Sequence, residues 1–215
     1  MNRSRLGVVT GLQAEARWLK QAGFMVRAGG GTPEGAALTA QILVDQGAEA
    51  LLSFGLAGGL QPGLKPGTIL VPAQVITPTT TYDCSPTLLS FLGGATTGAL
   101  LAGQAIAATV AQKAELYQHY KAAAIDLESG AVAQIATRQA LPFAVLRAVA
   151  DPAERRLPPA ALIALKDDGS LNIAGLLGSI LHRPQQIPAL IQIGHDTKAA
   201  RKTLLARLAA IRVHS

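Results

Sequence analysis

One cysteine, Cys84, stands in 215 residues, which excludes an internal disulfide and any cysteine-cluster metal site. A single thiol suits a reducing cytoplasm. Aromatic residues make up 4% of the chain and charged residues 15%, against 49% hydrophobic. With so few rings, the elements must pack closely on small and aliphatic side chains. No run of about 18 apolar residues escapes a charge or polar break, so no transmembrane helix is expected. The basic start, Met1-Asn2-Arg3-Ser4-Arg5, is followed by Gln13, Glu15 and Arg17 too early for a signal-peptide core. Acids are missing from Lys198 to Arg212, where Lys198, Arg201, Lys202, Arg207 and Arg212 account for much of the net charge of +6. No aromatic residues interleave with these cations and no recognition motif accompanies them, so nucleic acid is not an expected partner. A solvated helix face and a surface for anionic lipid are the two readings of that stretch. His119, His182, His195 and His214 lack metal-ligand spacing, and neither a metal nor a cofactor is expected.

What is present is a repeated strand–turn–helix unit. Short apolar runs without alternation occur at Leu6–Thr10, Phe24–Ala28, Ala50–Phe54, Thr68–Ile76, Leu100–Ala107, Ala122–Ile125 and Phe143–Ala150. Helical segments are predicted over Gln13–Ala22, Glu34–Gln46, Asp83–Leu92, Gln112–Tyr120, Ala131–Gln139, Ser170–Leu181 and Ile187–Ile211. Pro72 inside its run implies an edge or a bulge. Unalternating strands point to a sheet covered on both faces by helices, an α/β fold. The length suits one domain spanning 1–215, with 155–215 as its helical C-terminal part. Trp18 and Phe54 are expected in the core.

Sites in such sheets lie beyond the carboxyl ends of the strands. The chemically informative segments fall there. Asp126 and Glu128 follow one buried run, two positions apart, and Asp151 ends the next. Glu15 opens the first helix. Two glycine turns, Gly29-Gly30-Gly31-Thr32 and Gly55-Leu56-Ala57-Gly58-Gly59, follow other strands. Asp126, two residues earlier, is expected to face the other side from Glu128 and to be structural. Arg147, inside a strand, is expected to pair with an acid. Three acids at strand ends suit chemistry that binds hydroxyls and moves protons.

In order along Leu6–Asp151, these segments resemble the superfamily of purine nucleoside phosphorylases and 5′-methylthioadenosine/S-adenosylhomocysteine nucleosidases. The shared motifs are Gly11-Leu12-Gln13-Ala14-Glu15, Ala28-Gly29-Gly30-Gly31, Gly55-Leu56-Ala57-Gly58-Gly59, Lys65-Pro66-Gly67-Thr68-Ile69-Leu70-Val71-Pro72, Ile125-Asp126-Leu127-Glu128-Ser129-Gly130-Ala131 and Arg147-Ala148-Val149-Ala150-Asp151. Singly each is weak; six in order are specific. The resemblance implies a three-layer domain with a mixed central sheet, an enzyme that cleaves a purine N-glycosidic bond, and a homo-oligomer. The loop Asp151-Pro152-Ala153-Glu154-Arg155-Arg156-Leu157-Pro158-Pro159 and the later Arg183-Pro184 are similar to the hopanoid-associated phosphorylase branch. That branch implies adenosylhopane as substrate, adenine as product, and a cytoplasmic enzyme peripheral to the inner membrane. A 5′-methylthioadenosine/S-adenosylhomocysteine nucleosidase is the alternative enzyme, and a non-catalytic nucleotide-binding module the third reading.

The resemblance also implies roles. Asp151 is the general acid toward N7 of the leaving base. Glu128 grips the ribose hydroxyls, and Leu127, standing where relatives have Met, packs under the sugar. Glu15 orients an attacking water. Leu56, Ala57 and Gly58 border the substrate; Leu56 replaces a Ser or Thr of many relatives. Gly30, Gly31, Thr32 and Gly55 form the pocket for the nucleophile, either water or inorganic phosphate as co-substrate. Arg147, Arg155, Arg156 or Arg17 could supply positive charge to a phosphate, but spacing assigns none of them.

Overall fold

Strands β1 (Leu6–Thr10), β2 (Met25–Ala28) and β3 (Ala50–Gly59) pair in parallel in the computed structural model, which describes residues 3–163 and 172–210. Helices α1 (Gln13–Gln21) and α2 (Pro33–Asp45) are the crossovers between them. Pro33 opens α2 and the Thr32 side chain caps it by accepting from Gly35 N at 3.1 Å.

The run around Pro72 is two strands. Strand β4 (Ile69–Leu70) pairs antiparallel with a later strand, and β5 (Pro72–Ile76) starts a separate ladder. Proline at the first position of β5 withholds no donor that the interior of the ladder needs. The helix expected over Asp83–Leu92 is shorter. Strand β6 (Thr81–Asp83) takes its start, and α3 (Pro86–Phe91) begins at the proline. Strand β7 (Thr97–Ala102) lies earlier than the run Leu100–Ala107 suggested, and residues 103–108 form a loop. Helix α4 (Val110–Tyr120) carries a reciprocal cap between Thr109 and Gln112. Strand β8 (Ala124–Asp126), helix α5 (Ser129–Arg138) and strand β9 (Phe143–Asp151) follow as expected.

Helix α6 (Pro159–Leu162), helix α7 (Ile173–His182) and helix α8 (Ile187–Ala210) complete the described chain. The expected helical positions Ser170, Leu171 and Ile211, together with Arg212 and His214, lie outside the described residues.

The sheet is mixed, running β2-β1-β3-β8-β7-β5-β6, with β9 beside β3 and β4. Its buried strands send alternate residues to opposite faces. Val9, Leu51 and Val145 pack with Ala36, Ala40 and Leu43 of α2 and Val132 and Ala136 of α5. Val8, Leu52, Ala144 and Leu146 pack on the other side with Leu19 of α1, Leu88 of α3 and Leu204 of α8. Three layers result, as the sequence implied. Trp18 lies under Arg201, whose guanidinium carbon is 3.9 Å from the ring centre, and Phe54 is core. Small residues permit the close layers. A Cβ at Gly35 of α2 would stand 1.8 Å from the Gly29 carbonyl oxygen.

Candidate functional site

The carboxyl ends of β1, β3, β8 and β9 surround a cavity of about 300 Å³. Glu15, Leu56, Ala57, Gly58, Leu127, Glu128 and Asp151 all line it, as does Gly31. Gly30, Thr32 and Gly55 do not. The Thr32 hydroxyl oxygen serves the cap of α2. Gly55 sits behind the lining at φ 151°, where an added Cβ would fall 2.6 Å from Arg147 Nη1 and 3.2 Å from Glu15 Oε2. Glycine there lets the arginine and the glutamate approach the backbone of β3.

Arg147 organises the floor of the site from the middle of β9. It is 1% exposed, and its Nη2 lies 2.6 Å from both Asp126 Oδ2 and Glu128 Oε2 and donates to Ser53 Oγ at 2.7 Å. Ser129 Oγ donates to Asp126, whose Oδ1 accepts from Ser129 N at 3.3 Å. Asp126 therefore shares its cation with Glu128 and lines the same cavity, which corrects the expectation that it faces away. The pair stands two positions apart, and an extended chain turns such side chains to one face, so the expectation was at odds with the strand period itself. Asp126 does have the structural role expected of it. Arg147 pairs with acids as expected and holds no charge in reserve.

Burial raises the proton affinity of Glu128; Arg147 opposes the rise and Asp126 adds to it. Burial also works against the Arg147 charge, but Asp126, Glu128 and Glu15 hold that side chain ionised. Glu15 is 2% exposed, and its Oε1 has no hydrogen-bond partner. Burial, partly countered by Arg147, pushes its carboxyl up to about 7. The helix N-terminus favours the ionised form by only about 0.3–1 kcal/mol, so desolvation wins.

Asp151 ends β9 with its side chain 16% exposed, and Lys113 Nζ lies 2.6 Å from its Oδ2. Burial raises the Asp151 carboxyl above its ordinary range, while the Lys113 hydrogen bond and charge hold it back. The rest of the wall is apolar: Leu12, Ala105, Ile106, Ile125, Ala150 and Leu157. A hydrogen bond from Leu157 N to Ala108 O, 2.9 Å, ties the loop after β9 to the loop before α4.

Sequence reasoning missed Ser53, Ser129, Lys113 and the 105–107 loop. Lys113 had a readable signal. It stands at i, i+3, i+4, i+7 spacing with Leu116, Tyr117 and Tyr120, on the apolar stripe of its helix. The loop offered no signal beyond its apolar composition.

A family model described as the phosphorylase superfamily matches residues 8–92 and 94–179. The chain belongs to the phosphorylase superfamily. This membership agrees with the expected enzyme class, one that cleaves N-glycosyl bonds. No curated protein matches the chain.

Solved structures share the superfamily fold. An S-adenosylhomocysteine nucleosidase from Streptococcus pyogenes, in complex with 5-methylthiotubericidin, has TM-score 0.69 at 17% identity over 99% of both chains. A 5′-methylthioadenosine/S-adenosylhomocysteine nucleosidase from Colwellia psychrerythraea 34H, in complex with adenine, has TM-score 0.66 at 20% identity over 84% of this chain and 96% of that one. The native futalosine hydrolase of Helicobacter pylori strain 26695 has TM-score 0.64 at 18% identity over 84% and 98%.

Proposed function

We propose that this member of the superfamily releases adenine from a purine nucleoside bearing an apolar 5′ substituent, with water as the nucleophile. One observation carries the reading: Glu15, Glu128 and Asp151 line a single cavity of nucleoside scale. Asp151 protonates N7 of the leaving base. Glu128 accepts from the ribose hydroxyls, and its negative charge steadies the cationic sugar of the transition state. Glu15, with its free oxygen, takes a proton from the attacking water.

Charge favours water over phosphate. Arg147 is the one cation among the described lining residues, and Asp126 and Glu128 already hold it. Arg155, offered by sequence as a phosphate ligand, pairs instead with Asp196. A phosphate would enter beside several carboxylates without a cation of its own.

The apolar wall at Ile106, Ala107 and Leu157 supports a hydrocarbon-bearing substrate, and adenosylhopane is the reading for its identity. The cavity suits the nucleoside head, with the tail leaving past half-exposed Ile106. The smaller 5′-methylthioadenosine is the alternative substrate. Adenine release should be measured from each, with and without phosphate. The expected result is release at equal rates in both conditions, faster for adenosylhopane, with a free sugar hydroxyl in the product. A sugar 1-phosphate formed only with phosphate overturns the choice of water. No adenine from either nucleoside overturns the reading itself.

A further inference from the structure

Lys113 is fully buried, and no step above uses it. Withdrawing an ammonium from water costs several kcal/mol unless its donors are matched. Here they are matched by one stretch of chain. Nζ donates to Pro152 O at 2.9 Å and Arg155 O at 2.8 Å, and lies 2.6 Å from Asp151 Oδ2. Helix α4 thus grips the end of β9 and the turn after it through a single charged atom. The other charged groups facing Asp151 are Arg155 of that turn and Asp196 of α8, and these two pair with each other. Glu154 is exposed and accepts from Gly63 N at 2.7 Å. Lys113 is therefore the group that sets the charge balance at Asp151.

We propose that Lys113 is the positioning residue for the acid step: it fixes Oδ2 of Asp151, leaves Oδ1 for the purine, and stabilises the carboxylate that forms when the proton leaves. This rests on the nucleoside-cleavage reading. As the C1′–N9 bond breaks, its electron pair moves into the purine ring. The Asp151 proton passes to N7, and the adenine departs neutral. The new carboxylate faces an ammonium that keeps its own three protons. Water oxygen bonds to C1′, and the proton it sheds goes to Glu15. Solvent then returns a proton from Glu15 to Asp151.

The sign of the charge effect follows from the contacts. Burial raises the proton affinity of Asp151 and Lys113 lowers it. Without the lysine charge, Asp151 keeps its proton to higher pH yet gives it up more slowly.

K113Q separates charge from bracing, because it retains N–H donors for the loop carbonyls. K113R retains the charge. Two readouts apply: kcat against pH, and isotope-edited infrared titration of the Asp151 carboxyl with D151N as the blank. Expected for K113Q are a loss of about 10²-fold in kcat, little change in KM, and an Asp151 midpoint higher by about one pH unit. K113R keeps the wild-type midpoint, and K113Q adds no further kcat loss to D151N. An unmoved midpoint, or an equal kcat loss in the wild-type and D151N backgrounds, reduces Lys113 to a brace and overturns the proposal. Should K113Q not fold, the ¹⁵N signal of Lys113 Nζ in the wild type decides. It must shift with the Asp151 titration and lose that shift in D151N; a signal that ignores the titration overturns the proposal. Failure of the wild type to release any base would overturn the function reading alone, since the infrared and nitrogen signals do not depend on turnover.

Discussion

Glu15 concentrates the conflict between stability and chemistry in one carboxyl. Its folded-state pKa of about 7 stands above the ordinary 4.5. Between those values the folded chain holds a proton that the unfolded chain has released. Stability therefore falls as pH rises from 4.5 toward 7, and the full penalty applies above that range. E15Q removes the penalty. Urea denaturation should find E15Q more stable than wild type by about 3 kcal/mol at pH 8.5, with the gap closing below pH ~4.5. The same substitution should abolish the rise in activity through pH ~7 that an ionising general base produces. Equal stability at both pH values would show that Glu15 is not desolvated as described. Glu15 and Asp151 could be picked from sequence because each follows a strand and carries a motif. Lys113 showed only its place on the apolar stripe of α4, because the carboxylate and the carbonyls it meets lie far along the chain.

Strand β9 shows how an element can be readable while its partners are not. Its apolar run announces a buried strand, and an arginine inside such a run must meet acids. Which acids depends on where the end of β8 lies, since there Asp126 and Glu128 meet the same guanidinium. R147M should leave two buried carboxylates uncompensated and destabilise the chain by about 3–5 kcal/mol at neutral pH. Denaturation at pH 8 and at pH 4 tests this: protonating the acids should recover much of the loss. A constant loss across pH would assign the effect to packing instead. The shorter helix α3 and the split at Val71 escaped the sequence because β6 and β4 are edge pieces of three and two residues. Such pieces exist only through the neighbour they pair with.

Across the whole molecule, two cations of the described basic stretch pack on neighbouring elements and two stay exposed. Arg201 lies over Trp18, and Arg207 donates to Gly93 O at 3.4 Å; Lys198 and Lys202 remain exposed. Exposed apolar side chains stand on the same helices, at Leu177 and Leu181 of α7 and at Ile187, Ile191 and Leu205 of α8. Among the described residues, no helix is long and apolar enough to cross a membrane. If an amphiphilic nucleoside is drawn from a lipid surface, flotation on liposomes should occur and should be lost in L177D/L181D. K198E/K202E should weaken it only for anionic vesicles. Flotation unchanged in L177D/L181D would remove α7 from that role.

The sequence by itself determined the three-layer α/β fold and which strand ends carry acids, because unalternating apolar runs have no other way to be covered on both faces. Only tertiary structure decided which charges meet. Glu15, Glu128 and Asp151 come from three separate strand–helix junctions, and Lys113 from a fourth element. Their distances depend on strand order, on the glycine at 55 that admits Arg147, and on how far burial removes each group from water. None of these is a property of neighbouring residues along the chain.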